Sequence, residues 1–260
     1  MPTEYYHEKN VYTIEADGYN DLTGSQLIKI FEVLLKETLR ELQEMKILHI
    51  LLGCSKYEFF LNIPLDAKAR MIQDIQWIFE IKALTKQLIP EYEGLYGPSS
   101  EWHNLTMEEW NDCEVYYYLF TNENDTTALD KLIGILYREC KKDYNHQINI
   151  DGDCRVPFNQ YQSEYIAKEK ISQWPQSVKM AILAWYDGCR QSVTELYDLF
   201  GGNGEEVNEP GMFQIIRALC GDKFGSFKEV ERLNVHIALR DLMLTKQENE
   251  KLEAQLKSTS

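Results

Sequence analysis

The sequence predicts a mostly α fold: a bundle-like globular protein of many helices, with long loops and a C-terminal helix. Three observations carry this. Apolar residues recur at helical spacing in segment after segment. Three helix starts carry capping boxes, and strand-type alternation is confined to the short run VYTI at residues 11–14. At 260 residues and 44% hydrophobic content the chain can bury a sizeable core.

The first capping box pairs Thr23 with Gln26 and opens a helical run in which Leu27, Ile30, Phe31, Leu34 and Leu35 share a face and Gly53 is the expected stop. A second helix is expected from about Asp66, with Ile72, Ile75, Ile78 and Phe79 together. Residues 85–105, with Pro90, Gly94, Gly97 and Pro98, read as a long tyrosine-bearing loop. The second box, Thr106 with Glu109, opens a helix from Met107 to Phe120, and another is expected over Thr127–Cys140. The simplest role for Glu108 and Glu109 is favourable charge near a helix N-terminus. After the interruption INIDGDCRVPFN comes the helical YQSEYIAKEKISQ.

Pro175 suits the start of the next helix, whose stripe Val178, Ile182, Trp185, Cys189, Val193, Leu196 and Phe200 is the clearest in the chain. GGNGEEVNEPG is an acidic loop, and the third box, Ser226 with Glu229, starts the last helical region. There Val230, Leu233, Ile237 and Leu244 are expected to pack on a neighbour, with the tail beyond Thr245 too poor in apolar residues for a sustained coiled coil. The organisation expected is an N-terminal helical half over 1–141, a connecting loop over 142–159, and a C-terminal half over 160–260 with a projecting tail helix.

A net charge of −15 argues against non-specific nucleic-acid binding. The run ILHILLG is far below the ~20 residues of a membrane span. The N-terminal MPTEYYHEKN lacks a basic region followed by an apolar run, and the six cysteines form no CxxC pair. A cytoplasmic protein with reduced thiols is therefore expected.

INIDGDCRVPFN is the strongest candidate for chemistry, and it does not match a metal motif. Counted as a calcium loop from Asn149, it has Cys154 at the glycine position and Gln160 where a bidentate glutamate belongs. A zinc set of Cys140, His146 and Cys154, completed by Asp151 or Asp153, lacks the tight ligand pairs that preset a tetrahedral site. A polar turn is the plainer reading, with Asp-Gly supporting a positive φ and its tip exposed. The scattered histidines form no HExxH, Cys189 lies in an apolar stripe, and GGNGEE would repel phosphate. No catalytic, cofactor-binding or metal-ligating residue is assigned, and no cofactor is expected. The aromatic surplus points to binding. Tyr116, Tyr117 and Tyr118 cannot share one face of a helix, so Tyr92, Tyr96, Trp102, Trp110 and Tyr117 are taken as partner-binding candidates.

The order LTGSQL, LYREC, RVPFN, SVKMAILAWYDGCRQ and FGSFKEVERLNVHIALRDL resembles helical proteins found among the tail genes of tailed phages and prophages of Bacteroidetes-type hosts, over roughly residues 22–244. These motifs are packing and turn patterns, and the resemblance supplies no catalytic residue. It implies structural anchoring by Tyr137, Arg138, Arg155, Pro157, Phe158 and Arg190, with the arginines bonding helix-end carbonyls around the loop. It also implies a tail-assembly chaperone or minor tail protein, whose partner would be the tape-measure protein or the tail tube, with homo-oligomerisation left open. The alternatives are a structural tail or connector subunit retained in the virion and a metal-dependent enzyme using the 140–154 loop.

Overall fold

The computed structural model describes residues 3–7, 10–145, 152–197, 212–221 and 223–259. In chain order the elements are β1 (Thr3–His7), β2 (Asn10–Ile14), α1 (Gly24–Lys36), α2 (Arg40–Leu52), α3 (Leu65–Asp74), β3 (Glu91–Tyr92), β4 (Leu95–Tyr96), α4 (Met107–Glu123), α5 (Thr126–Leu136), α6 (Gln160–Glu169), α7 (Gln176–Tyr197), α8 (Met212–Leu219), α9 (Phe227–Glu231) and α10 (Val235–Thr259). The protein is mostly α, and none of the described helices is long and apolar enough to cross a membrane. Each of the two small sheets is one antiparallel pair, β1 with β2 and β3 with β4. The VYTI run is thus one strand of a hairpin whose other strand, TEYYH, gave no strand signal of its own.

Two compact units emerge, and both are discontinuous in sequence: residues 1–89 with 173–188, and residues 90–172 with 189–260. Residues 142–145 and 152–159 belong to the second unit, between α5 and α6, two helices packed on each other.

In the first unit the run expected to be one helix is two. Glu37 and Leu39 take extended conformations, and the Gln43 side chain donates to the Glu37 carbonyl at 2.8 Å, closing the end of α1. The break lets Leu27, Ile30 and Phe31 of α1 and Ile47, Leu48 and Leu51 of α2 be buried with the two helices side by side, which one straight rod could not do. Gly53 ends α2 with φ 62°, a left-handed conformation that favours glycine. The α7 stripe from Val178 to Trp185 is buried, and the Trp185 indole donates to the Thr85 carbonyl at 3.0 Å. Pro175 sits just before the helix, its carbonyl accepting from Val178 N–H at 3.0 Å.

In the second unit α4 packs on α5 and α5 on α6. Gly134 makes the second contact close: a Cβ there would lie 2.7 Å from the Ser163 carbonyl oxygen. Cys189 and Val193 continue the buried α7 stripe, but Leu196 is 62% exposed, and Phe200 and the GGNGEEVNEPG loop lie outside the described residues. The chain before α10 is tied down by backbone bonds from Met107 N–H to Leu233 O at 2.9 Å and from Val235 N–H to Leu105 O at 3.0 Å. These bonds set the rotation of α10, so its buried residues are Val235, Ala238 and Leu239, while Ile237 and Leu244 face solvent. Val230 of α9 is buried as expected.

Candidate functional site

All three capping boxes form, and one of them anchors the INIDGDCRVPFN exit. Thr106 caps α4, and Glu109 Oε2 accepts from the Thr106 backbone N–H at 2.9 Å. Glu109 is also 99% buried (1% exposed), and its carboxylate pairs with Arg138 through Oε1 and with Arg155 through Oε2 at 3.5 Å. The charge read as a helix-terminal convenience is therefore the hub of a buried ion cluster. Asp153 completes it, meeting Arg155 Nε at 3.0 Å and Nη2 at 3.1 Å, a fork-to-fork arrangement that fixes both planes.

The remaining guanidinium N–H groups close the end of α5. Arg138 donates to the Ile135 carbonyl at 2.6 Å and Arg155 to the Leu136 carbonyl at 3.0 Å, two acceptors that the helix leaves without intrahelical partners. Arg138 also reaches the Val156 carbonyl at 2.9 Å, and Arg155 the Asn104 carbonyl at 3.1 Å. LYREC does not end a helix. α5 stops at Leu136, and the following residues run extended, Arg138 bridging to Tyr96 and Cys140 to Arg155. Tyr137 is fully buried, Phe158 lies under the Arg138 guanidinium at 5.9 Å, and Pro157 is exposed. Arg190 clasps the Glu114 carboxylate at 2.8 and 3.1 Å.

Burial pushes the Asp153 carboxyl up, but the hydrogen bond and charge of Arg155 outweigh it and hold the group below its ordinary value. Burial pulls Arg138 down against the pull of Glu109; for Arg155 burial is overcome by Glu109 and Asp153, which hold it up. Gly152 adopts φ 67° in the expected turn, yet Asp153 points inward to Arg155 and is not part of an exposed tip. His146 and Asp151 of the zinc-type set lie outside the described residues, and among the described ones no group of three acids, histidines or cysteines is arranged around a common metal position. Burial, with the Cys140 thiol beside it, pushes the Cys154 thiol up to about 11.

The aromatic candidates divide. Trp102 and Trp110 are 0% and 2% exposed, with ring centroids 5.9 Å apart, so they pack the second unit and offer no contact surface. Tyr92 and Tyr96 sit half-buried on the β3–β4 hairpin, and Tyr117 is half-buried under Arg190 at 5.1 Å. The exposed ring of α4 is Tyr118. His236 is a structural link: Nε2 faces the Glu101 carbonyl at 2.6 Å, leaving Nδ1 to accept from the Tyr197 hydroxyl at 2.8 Å. It braces a turn in which Glu101 and Trp102 both have positive φ.

The surface most suited to binding was not among the candidates. Between α2 and α3 the chain makes a widened π-type turn over Glu58–Asn62, started by Ser55, whose hydroxyl accepts from Glu58 N–H at 3.1 Å. Phe59 and Ile63 are buried, and the Phe59 ring meets His49 at 5.0 Å. In the same segment Tyr57, Phe60, Leu61 and Leu65 are 62–77% exposed. The signal was present in KYEFFLNIPL, which has more large apolar residues than one buried face can use. No protein-family model, curated protein or solved structure matches the chain.

Proposed function

We propose that the protein is a non-enzymatic binding protein that holds an apolar segment of a tail protein in solution, in the manner of a phage tail-assembly chaperone. The carrying observation is the ledge of Tyr57, Phe60, Leu61 and Leu65, four large apolar side chains within nine residues left open to solvent. Scattered apolar residues are ordinary on a surface, whereas a contiguous group marks an interaction site. Covering the four would contribute on the order of 4–8 kcal/mol, comparable to the cost of association, so a reversible grip also needs contacts beyond these four. The tail-assembly part of the reading rests on the motif resemblance, and on that reading the protein acts in the host cytoplasm. The cluster around Arg155 supports a binding role over chemistry at the 140–154 loop, because its charged groups are engaged with one another and with helix-end carbonyls.

Co-expression tests this. The tape-measure protein should be recovered soluble with the wild type and insoluble with Phe60→Ser/Leu61→Ser, and the protein should be missing from purified particles. Stoichiometric retention in particles would instead identify a structural tail or connector subunit.

A further inference from the structure

Two thiols meet where the chain leaves α5 and returns toward α6. Cys113 and Cys189 are buried, while Cys54, Cys140, Cys154 and Cys220 are partly open to solvent. Cys140 bridges Arg155 in an antiparallel sense. Lys141 N–H donates to the Cys154 carbonyl at 2.7 Å on one side of that pair, and Val156 N–H to the Glu139 carbonyl at 2.9 Å on the other. Bonds placed to either side mark the close type of antiparallel pair, with opposed Cα atoms about 4.5 Å apart. Cys154 lies one residue further along, a rise of about 3.3 Å, so its Cα is about 6 Å from that of Cys140. That separation falls inside the range of about 4.4–6.8 Å that a disulfide spans. In a regular strand a step of one residue would turn the two side chains to opposite faces. Cys154 instead follows the turn at Gly152 (φ 67°) and lies outside the bridge, and the Cys140 thiol stands within hydrogen-bonding reach of its own. Lys141 Nζ, bonded to the Asp153 carbonyl at 2.9 Å, holds the same crossing together.

We infer that Cys140 and Cys154 are a redox-sensitive pair, which a low-molecular-weight disulfide converts reversibly to an intramolecular disulfide that fastens the exit of α5 to the approach of α6. The Cys140 sulfur, as thiolate, attacks one sulfur of the external disulfide; a mixed disulfide forms and one external thiolate leaves. The Cys154 sulfur, giving its proton to solvent, then attacks the Cys140 sulfur and expels the second external thiolate. The two protein thiols lose two electrons and two protons, and the external disulfide is reduced to two thiols that take them up. Cys154 reacts second because burial and the neighbouring thiol hold its proton on, and its proximity to the mixed disulfide compensates. In a reducing compartment such a pair acts as a transient sensor and not as a permanent staple. The link closes a ring of 15 residues, 140 to 154, beside Asp153 and Arg155, so oxidation adds a covalent tie next to the ion cluster. This inference stands independently of the binding role proposed above.

Oxidised glutathione is the probe, added in increasing amounts to the native full chain, with mass spectrometry of the intact and the proteolysed protein as the readout. The expected product is lighter by two hydrogens, with the Cys140 peptide joined to the Cys154 peptide, and dithiothreitol should reverse it. Cys154→Ser should stop with one glutathione on Cys140, whereas Cys140→Ser should leave Cys154 largely unmodified. Oxidation of the wild type should raise the urea midpoint of the second unit, followed by exchange of α5 amides, by about 1–2 M. The wild type alone decides whether the link forms, so a variant that fails to fold does not protect the idea. No reaction, glutathione on both cysteines without a link, or a link that forms only in unfolding urea overturns the pair. Links that join other cysteines or two chains in its place overturn it as well. A Cys140–Cys154 link that leaves the midpoint unchanged or lower overturns the fastening role.

Discussion

Replacing Glu109 by glutamine isolates the charge at the centre of the second unit. The glutamine carbonyl can still accept from Thr106 N–H, so the cap survives, while the amide nitrogen in place of Oε1 removes the negative charge and the acceptor facing Arg138. The cluster holds Arg138 and Arg155 against Glu109 and Asp153, and the substitution takes it from neutral to a net positive charge in a place where the side chains of Arg138, Arg155 and Glu109 are at most 3% exposed. Arg155 keeps Asp153, whereas Arg138 loses its carboxylate partner and retains only the Ile135 and Val156 carbonyls. Breaking a buried pair from one side costs about 3–5 kcal/mol. For a unit of this size that is a downward shift of about 2 M in the urea midpoint. The chain has two compact units, so hydrogen exchange of α4 and α5 amides across a urea series should be used to follow the relevant one. Thr106→Ala, which removes the hydroxyl cap alone, should cost only about 1 kcal/mol. Adding Arg138→Met to Glu109→Gln restores neutrality, and the double variant should be at least about 1 kcal/mol less destabilised than the two singles summed. A Glu109→Gln loss no greater than that of Thr106→Ala, with additive double-variant energies, would refute the reasoning.

Three further outcomes follow from the same geometry. Because Asp153 is held below its ordinary value of 3.8, its contribution should be present above about pH 4 and fade as pH falls through the lowered folded value; the urea-midpoint gap between wild type and Asp153→Asn should thus persist from pH 7 to about pH 4 and narrow on further acidification, and a gap that instead widens reverses the assigned sign. Gly134→Ala should destabilise the second unit by about 1–2 kcal/mol, since the added methyl's clash with the α6 backbone exceeds the gain in helix propensity; a higher melting temperature would contradict the close contact. With its thiol raised to about 11, Cys154 should be alkylated by iodoacetamide about 100-fold more slowly at neutral pH than an ordinary cysteine of pKa near 9, and faster as pH rises; mass spectrometry of the folded protein would expose rapid neutral-pH labelling and so reject it.

Local rules were legible in the sequence, and long-range ones were not. Thr23, Thr106 and Ser226 announced their helices because a cap is decided within four residues, and Gly53 marked a stop for the same reason. The break at Glu37–Leu39 was invisible, since the apolar spacing continues across it and only the folding of α1 against α2 makes it favourable. The resemblance pointed to arginines on helix-end carbonyls, and Arg138 and Arg155 make such bonds. Their shared carboxylate, Glu109, comes from a different helix and could not be paired by inspection. Aromatic density suggested Trp102 and Trp110 as contact residues, but composition does not reveal which side of a ring is covered. KYEFFLNIPL posed the same difficulty in reverse: its apolar excess was legible, and which side chains stay open was fixed only by the burial of Phe59 and Ile63.

Hydrogen exchange of the protein alone and in complex with a co-expressed tape-measure protein tests the central claim most directly. Binding through the ledge should slow exchange of amides in the 55–68 segment while leaving the Glu109 cluster of the second unit as it was. Protection confined to the second unit, with residues 55–68 unchanged, would contradict it.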